Sequence, residues 1–181
     1  RAVARAAHRH GTMYGLSTMG STSIEDVAAA TPGPKFFQIY VLKDRGITLE
    51  YMRRCRAAGY NALCLTVDVP TAGNRERDWR SGMTVPPALT LTSLLDIAMH
   101  PRWSYRYLTN PPLEFANVIH EGAKGAQRKA GNVIQYFGKQ FDRTITWKDA
   151  AWMAEQWGGP FAIKGIMTAE DAKRAADAGA T

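Results

Sequence analysis

Short apolar segments alternate with longer amphipathic segments along this chain, and the two patterns predict different secondary structures. The short segments lie between glycine and proline residues and predict the β-strands Met13–Ser17, Lys35–Leu42, Asn61–Val69 and Pro160–Ile166. The amphipathic segments predict the helices Ile24–Ala30, Ile47–Ala58, Trp147–Gln156 and Thr168–Ala178. The first and last of these follow the capping-box sequences SIED and TAED. A repeated strand–helix unit is typical of a parallel α/β fold.

Side chains alternate between the two faces of each predicted strand, and the two faces differ in polarity. One face is apolar, at Tyr14, Leu16, Phe37, Ile39, Val41, Leu63, Leu65, Val67, Phe161 and Ile163. The other face becomes polar towards the carboxyl ends of the strands, at Ser17, Gln38, Tyr40, Thr66, Asp68 and Lys164. A TIM (β/α)8 barrel builds its active site at this end of its strands, so the pattern favours a barrel of this kind. Two alternatives remain open: polar side chains with only structural partners, and an Asx turn at Asp68.

An insert of about residues 71–145 separates the third predicted strand from the last strand–helix unit, and we expect it on the catalytic face of a single partial barrel domain, 1–181. Within it, Leu89–Leu108 combines an apolar stretch with Arg102, Arg106 and several Trp and Tyr residues. This composition is typical of an interfacial membrane anchor, and a helix packed on the barrel rim explains it nearly as well. The basic stretch around Lys124–Lys129 predicts a mobile loop, because it lacks the strand-to-helix setting of a phosphate-binding loop.

The composition is that of a soluble globular protein, with 181 residues, 45% hydrophobic and 22% charged. The formal net charge of +7 favours anionic partners, while the scattered basic residues, without an aromatic-rich motif, argue against nucleic acid. No apolar run approaches the roughly 18 residues of a membrane-spanning helix. Cys55 and Cys64 have neither metal-binding nor disulfide-framework spacing, so we expect reduced thiols, no metal site and a cytosolic setting.

Several short segments form an ordered set: LST at 16–18, SIEDV at 23–27, FFQIYVLKDR at 36–45, LTVDVPTAGNRERD at 65–78 and FAIKGI at 161–166. The set resembles the FMN-dependent 2-hydroxy acid dehydrogenase and oxidase family, and within that family the bacterial L-lactate dehydrogenases. In the insert, SGM at 81–83, HPRW at 100–103 and FDRTITWKD at 141–149 resemble the same enzymes. The resemblance implies a TIM barrel, of which strands two to five are present, and FMN as the cofactor.

The resemblance also implies roles for the polar residues at the strand ends. Contacts to the flavin ring are implied for Ser17, Gln38, Thr66 and Lys164. Hydroxyl and amide groups can bind the O4–N3 edge of the ring, and a cation near N1 and O2 stabilises the anionic reduced flavin. Tyr40 matches a substrate-binding catalytic tyrosine, and Arg75 matches the arginine that binds the substrate carboxylate. Asp68 matches the catalytic aspartate that holds the histidine base, which makes the Asx turn a minor alternative.

The implied reaction is oxidation of an (S)-2-hydroxy acid to the 2-oxo acid, with L-lactate expected ahead of glycolate or mandelate. Met19 stands where glycolate-type oxidases carry a bulky aromatic residue near the substrate side chain, which favours a small aliphatic acid. Quinone, cytochrome and oxygen remain open as electron acceptors. We expect the complete enzyme to be a homo-oligomer, in the cytoplasm or peripheral on the inner face of the plasma membrane.

The resemblance places the histidine base and a second arginine of the family in an SNHGGRQLD-like segment beyond Thr181. We therefore expect the 181 residues alone to lack the base and to be inactive. The histidines within the chain are not substitutes, because none follows a strand: His8, His10, His100 and His120. A different hypothesis is that these residues form a non-catalytic half barrel, which associates with itself or with a complementary piece.

Overall fold

The fold is organised around a four-stranded parallel sheet with the strand order β1-β2-β3-β4. The computed structural model describes residues 1–68, 76–80, 90–110, 115–117 and 140–181. The strands are β1 (Tyr14–Ser17), β2 (Lys35–Tyr40), β3 (Ala62–Thr66) and β4 (Phe161–Lys164). All four predicted strands are confirmed, each within its predicted bounds.

Helices precede, separate and follow these strands. They are α1 (Ala2–Arg9), α2 (Ile24–Ala30), α3 (Arg45–Ala57), α4 (Glu76–Arg80), α5 (Leu91–Met99), α6 (Pro101–Thr109), α7 (Trp147–Trp157) and α8 (Ala169–Asp177). The hydroxyls of Ser23 and Thr168 accept backbone N–H bonds at 3.0 and 3.1 Å, which explains why α2 and α8 begin where predicted. Gly158 ends α7 with a φ of 63°, a left-handed conformation that glycine adopts without strain.

The apolar face of the sheet forms the core of the described structure. The strand residues Phe37, Ile39, Leu63 and Leu65 have no exposed surface. They share one hydrophobic cluster with side chains of α2, α3 and α7: Ile24, Val27, Tyr51, Met52 and Met153. The predicted apolar face is therefore confirmed, and its burial, at about 25 cal/mol per Å2, holds the helices on one side of the sheet.

The opposite face of the sheet consists of rows that run across the strands. In order towards the carboxyl ends, the paired rows are Gly15, Phe36 and Ala62, then Ser17, Gln38, Cys64 and Ala162, then Tyr40, Thr66 and Lys164. The first row requires a glycine, because a Cβ on Gly15 would lie 2.4 Å from the Phe36 ring. The polar side chains of this face are thus concentrated at the carboxyl ends of the strands.

Candidate functional site

A chain of hydrogen bonds joins three polar side chains at the carboxyl ends of β1, β2 and β3. The Ser17 hydroxyl donates to Oε1 of Gln38 at 2.9 Å, and Nε2 of Gln38 donates to Oγ1 of Thr66 at 2.7 Å. Ser17 and Gln38 are half-buried, while Thr66 is buried. Each end of the Gln38 amide is thus hydrogen-bonded to a hydroxyl, a group that can donate or accept. The sequence therefore correctly predicted that these residues converge.

Lys164 and Asp68 form an ion pair beside this chain, with Nζ 2.5 Å from Oδ2. The hydrogen bond to Asp68 raises the pKa of Lys164, so the side chain stays cationic. Gly165, next to Lys164, allows Asp68 to lie this close. It has a φ of 110°, and a Cβ there would lie 2.6 Å from Cβ of Asp68. Both side chains remain partly exposed, which leaves them accessible to a bound molecule.

Tyr40 extends from the carboxyl end of β2 next to a residue of the insert. Its ring lies edge-to-face against Phe141, with the ring centroids 5.0 Å apart and an interplanar angle of 69°. A small pocket adjoins the two rings, and its lining includes Thr66, at the end of β3, and Val67, the residue that follows β3. Tyr40 therefore lies at the boundary between the sheet and the returning insert.

The returning insert is bonded to the loop after β2. Phe141 forms an antiparallel bridge with Leu42, the Lys43 N–H donates to the carbonyl of Gln140 at 2.8 Å, and the Asp142 N–H donates to the carbonyl of Val41 at 3.0 Å. This short ladder fixes the direction in which the insert re-enters the barrel.

A second part of the insert contacts the rim through Asn117, which is completely buried. Its Oδ1 accepts the Ile24 N–H at 2.9 Å, and its Nδ2 donates to the Thr22 carbonyl at 3.2 Å. The Ile24 N–H belongs to the first turn of α2, where backbone donors have no partner within the helix. Asn117 therefore supplies the hydrogen-bond acceptor for a backbone N–H at the start of a helix that is distant from it in sequence.

Helices α5 and α6 form a hairpin with its apolar side chains exposed. Neither helix has a buried residue, and their exposed large apolar side chains are Leu91, Leu94, Leu95, Met99, Trp103, Tyr105, Tyr107 and Leu108. Trp103 and Tyr107 stack on each other with their ring centroids 5.1 Å apart. The described helices include none with the length and hydropathy needed to span a membrane.

Some predicted residues lie outside the described ranges: Arg75, the 81–83 segment, Leu89, His120 and the basic stretch 124–129. Conversely, sequence reasoning assigned no role to Phe141 or Asn117. The FDRTITWKD segment was noted only for its resemblance, and no local pattern marks Asn117, because its partners lie more than 90 positions away.

The strand-end residues have the chemistry that FMN requires. Their hydroxyl and amide groups supply hydrogen-bond donors and acceptors in one line, and Lys164 supplies a positive charge at the same edge of the sheet. The neighbouring Cys64 is half-buried, and burial raises the pKa of its thiol, so this group stays protonated and uncharged. This set of groups fits a flavin ring better than a metal ion, because its hydroxyl, amide and ammonium groups can donate hydrogen bonds and its Asp68 carboxylate is already paired with Lys164.

The family model for FMN-dependent dehydrogenases matches residues 1–181, so this chain belongs to the FMN-dependent dehydrogenase family. The match confirms the recognised family and its FMN cofactor. A Mycobacterium tuberculosis protein, provisionally named an L-lactate dehydrogenase, is 44% identical over 98% of this chain and 41% of its own length. The L-lactate dehydrogenase of Xanthomonas axonopodis pv. citri is 42% identical over 98% of this chain and 45% of its own length. The chain thus spans less than half of these relatives.

Solved structures of FMN-dependent enzymes confirm the partial barrel. The monotopic membrane protein (S)-mandelate dehydrogenase is 32% identical, and the similarity covers 99% of this chain and 47% of that one, with a TM-score of 0.91. A soluble mutant of the membrane-associated (S)-mandelate dehydrogenase from Pseudomonas putida is 29% identical over 99% of this chain and 43% of that one, with a TM-score of 0.72. The sheet described here is therefore part of a TIM barrel.

Proposed function

We propose that this chain supplies the flavin-facing and substrate-facing strand ends of an enzyme that oxidises an (S)-2-hydroxy acid, L-lactate in particular, to the 2-oxo acid. The observation that carries the proposal is the hydrogen-bonded chain of Ser17, Gln38 and Thr66, with Lys164 at the same edge. The names of the curated relatives favour lactate.

Four residues would hold the cofactor. The side chains of Ser17, Gln38 and Thr66 would bind the polar edge of the flavin ring, and Lys164 would balance negative charge on it. When bound, FMN supplies the acceptor for the hydride equivalent that leaves the substrate. Lys164 keeps its positive charge for this role, because its hydrogen bond to Asp68 raises its pKa.

The substrate would contact the same end of the barrel. The Tyr40 phenol can hydrogen-bond the substrate, and Arg75 can bind its carboxylate through two parallel hydrogen bonds. Asp68 would orient the histidine that takes the hydroxyl proton and would stabilise the resulting imidazolium. Since Asp68 already contacts Lys164, it would hold that histidine and the lysine next to each other.

The main alternatives within the family are mandelate and glycolate oxidation, and the name of the solved neighbour raises mandelate in particular. L-Lactate is preferred because the curated relatives at 42–44% identity carry the name L-lactate dehydrogenase. Comparing kcat/KM for L-lactate, glycolate and (S)-mandelate would decide between them.

The proposal is tested by flavin binding and reduction in the protein that contains this chain. We expect yellow protein with bound FMN, bleached by L-lactate without oxygen, and weaker FMN binding in Gln38→Leu, which breaks both bonds of the amide. Asn110→Ala, an exposed change far along the insert, is the matched control. Colourless, self-associating protein would favour the half-barrel hypothesis, and equal FMN binding by Gln38→Leu would contradict the assigned contacts.

We further propose that the α5–α6 hairpin docks the enzyme peripherally on the cytoplasmic face of the membrane. The hairpin exposes its apolar side chains and carries Arg102 and Arg106 beside the stacked Trp103–Tyr107 pair. Burial of apolar surface contributes about 25 cal/mol per Å2, and each basic residue adds about 1 kcal/mol on anionic lipid. One solved neighbour is named as a monotopic membrane protein, which is consistent with this role. Docking on the membrane would favour quinone as the electron acceptor. We also expect the complete enzyme to be a homo-oligomer.

The docking proposal predicts that the protein sediments with anionic vesicles at low salt and detaches in part at high salt, because ions screen the arginine contribution. Replacing Trp103 and Leu108 together by Ser should reduce sedimentation while leaving the free energy of unfolding nearly unchanged. If this double variant binds vesicles normally but unfolds more easily, the same side chains pack against protein in the complete enzyme.

A further inference from the structure

The orientation of Tyr40 depends on a residue far from it in sequence. Tyr40 is half-buried, and its ring is in an edge-to-face contact with Phe141, 5.0 Å between centroids. Aromatic pairs favour this geometry because the positive edge of one ring meets the negative face of the other. The contact therefore favours one direction for the Tyr40 phenol.

Phe141 is itself held by the backbone on either side of it. The ladder between 140–142 and 41–43 places Phe141 opposite Leu42, two residues beyond Tyr40. Because Phe141 is in this ladder and Tyr40 directly precedes it, the separation of the two rings is set by backbone hydrogen bonds as well as by ring packing.

Asp142 holds the position of the residue that follows Phe141. Its Oδ1 accepts the backbone N–H and the hydroxyl of Thr144 at 2.9 and 2.7 Å, and its Oδ2 accepts from Arg45 at 2.9 Å. Arg45 also donates to the Leu42 carbonyl at 2.8 Å and to Asp149 at 2.7 Å. A single guanidinium thus joins the loop after β2, the returning insert and the first turn of α7.

We propose that Phe141 is a positioning residue for Tyr40, held in place by the Arg45–Asp142 pair. The proposal rests on the substrate-binding role proposed above for Tyr40. A residue that binds substrate through one phenol oxygen needs a fixed ring, because small displacements of a binding group weaken its contact with the substrate. In this arrangement the insert contributes to the active site by orienting a barrel residue, and Phe141 itself need not touch the substrate.

The test uses a readout that needs neither flavin nor turnover. The protein that contains this chain is labelled with 3-fluorotyrosine, and the 19F resonance of Tyr40 is assigned by its loss in Tyr40→Phe. Phe141→Leu removes the neighbouring ring, so the Tyr40 resonance should shift and broaden. Phe141→Tyr keeps a ring and should restore a narrow line near the original position, once its own added resonance is identified. Trp103→Leu, which removes a ring from the stacked Trp103–Tyr107 pair, should leave the Tyr40 resonance unchanged.

Kinetics then separate positioning from a structural role. In the FMN-loaded protein, Phe141→Leu should raise KM for the 2-hydroxy acid by about two- to tenfold with a smaller change in kcat, the range expected for losing an aromatic pair. An unchanged Tyr40 resonance in folded Phe141→Leu would overturn the inference, whatever the activity. If Phe141→Leu does not fold, Asp142→Asn takes its place, since it weakens the same support, and an unchanged resonance there overturns the inference equally. A shifted resonance with normal KM would contradict the substrate role of Tyr40.

Discussion

The burial of Asn117 makes a specific prediction about how the insert is attached to the barrel. The side chain has no exposed surface, accepts the Ile24 N–H and donates to the Thr22 carbonyl. Its own backbone carbonyl accepts a long hydrogen bond from the Tyr51 hydroxyl, 3.4 Å. Replacing Asn117 by Ala removes both side-chain bonds and leaves the buried Ile24 N–H and the partly buried Thr22 carbonyl without these partners.

The size of the effect follows from these two groups. Leaving a buried polar group unsatisfied costs about 1–3 kcal/mol, so the Ile24 N–H alone should make Asn117→Ala lower the free energy of unfolding by about 1–3 kcal/mol, and the partly buried Thr22 carbonyl adds less. Asn117→Leu restores most of the lost volume but neither bond, and we expect it to be no more stable than the alanine variant. The comparison separates the loss of hydrogen bonds from the creation of a cavity.

Urea denaturation followed by far-UV circular dichroism provides the measurement, with Asn110→Ala as the matched control. Asn110 belongs to the same insert and is exposed, and its side-chain amide donates to the Arg106 carbonyl of the preceding helix, so its loss should change stability by less than about 0.5 kcal/mol. If Asn117→Ala costs as little as Asn110→Ala, or if Asn117→Leu regains the stability, the hydrogen bonds of Asn117 do not hold the insert.

Three further predictions concern the active site and its support. Lys164→Met should lower kcat far more than it raises KM, because the positive charge is needed as negative charge develops on the flavin; an unchanged kcat would contradict this role. Arg75→Lys should mainly raise KM, since an ammonium cannot form two parallel bonds to a carboxylate; an equal loss with a substrate lacking a carboxylate would contradict it. The hydrogen bonds from Thr144 lower the pKa of Asp142. The ionised Asp142 side chain therefore stabilises the fold, and this contribution should disappear as the pH falls through its folded-state pKa. Asp142→Asn should flatten the acidic side of the curve of stability against pH, measured by urea melts.

The sheet and its polar edge could be predicted from the sequence because both depend on local patterns. A strand alternates with period two, so the apolar identities of Phe37, Ile39, Leu63 and Leu65 fix which face meets the helices. Strands that run parallel in one sheet have their carboxyl ends at the same edge. Thr66 therefore lies near Gln38 for a reason that the local strand pattern already contains. This is why the convergence at the strand ends was predictable before any distance was known.

The support around this edge could not be predicted, because it depends on contacts between distant parts of the chain. Asn117 bonds to a helix start 93 positions earlier, and Arg45 to Asp149, 104 positions later. Neither contact is marked by periodicity or by a capping sequence. The Lys164–Asp68 pair was missed for another reason: each residue was assigned to a different partner, and a carboxylate and an ammonium at adjacent strand ends also attract each other.

Two attachments in the described part of the insert also limit where its exposed hairpin can lie. Asn117 is bonded to the residues that start α2, and Phe141 is bonded to the loop after β2, so both attachments are near the carboxyl ends of strands that carry site residues. The last residue of the hairpin segment, Asn110, is seven positions before Asn117, and seven extended residues span at most about 25 Å. If the hairpin docks on a membrane as proposed, the strand ends that carry the polar residues would therefore lie no farther from it than this short chain segment allows.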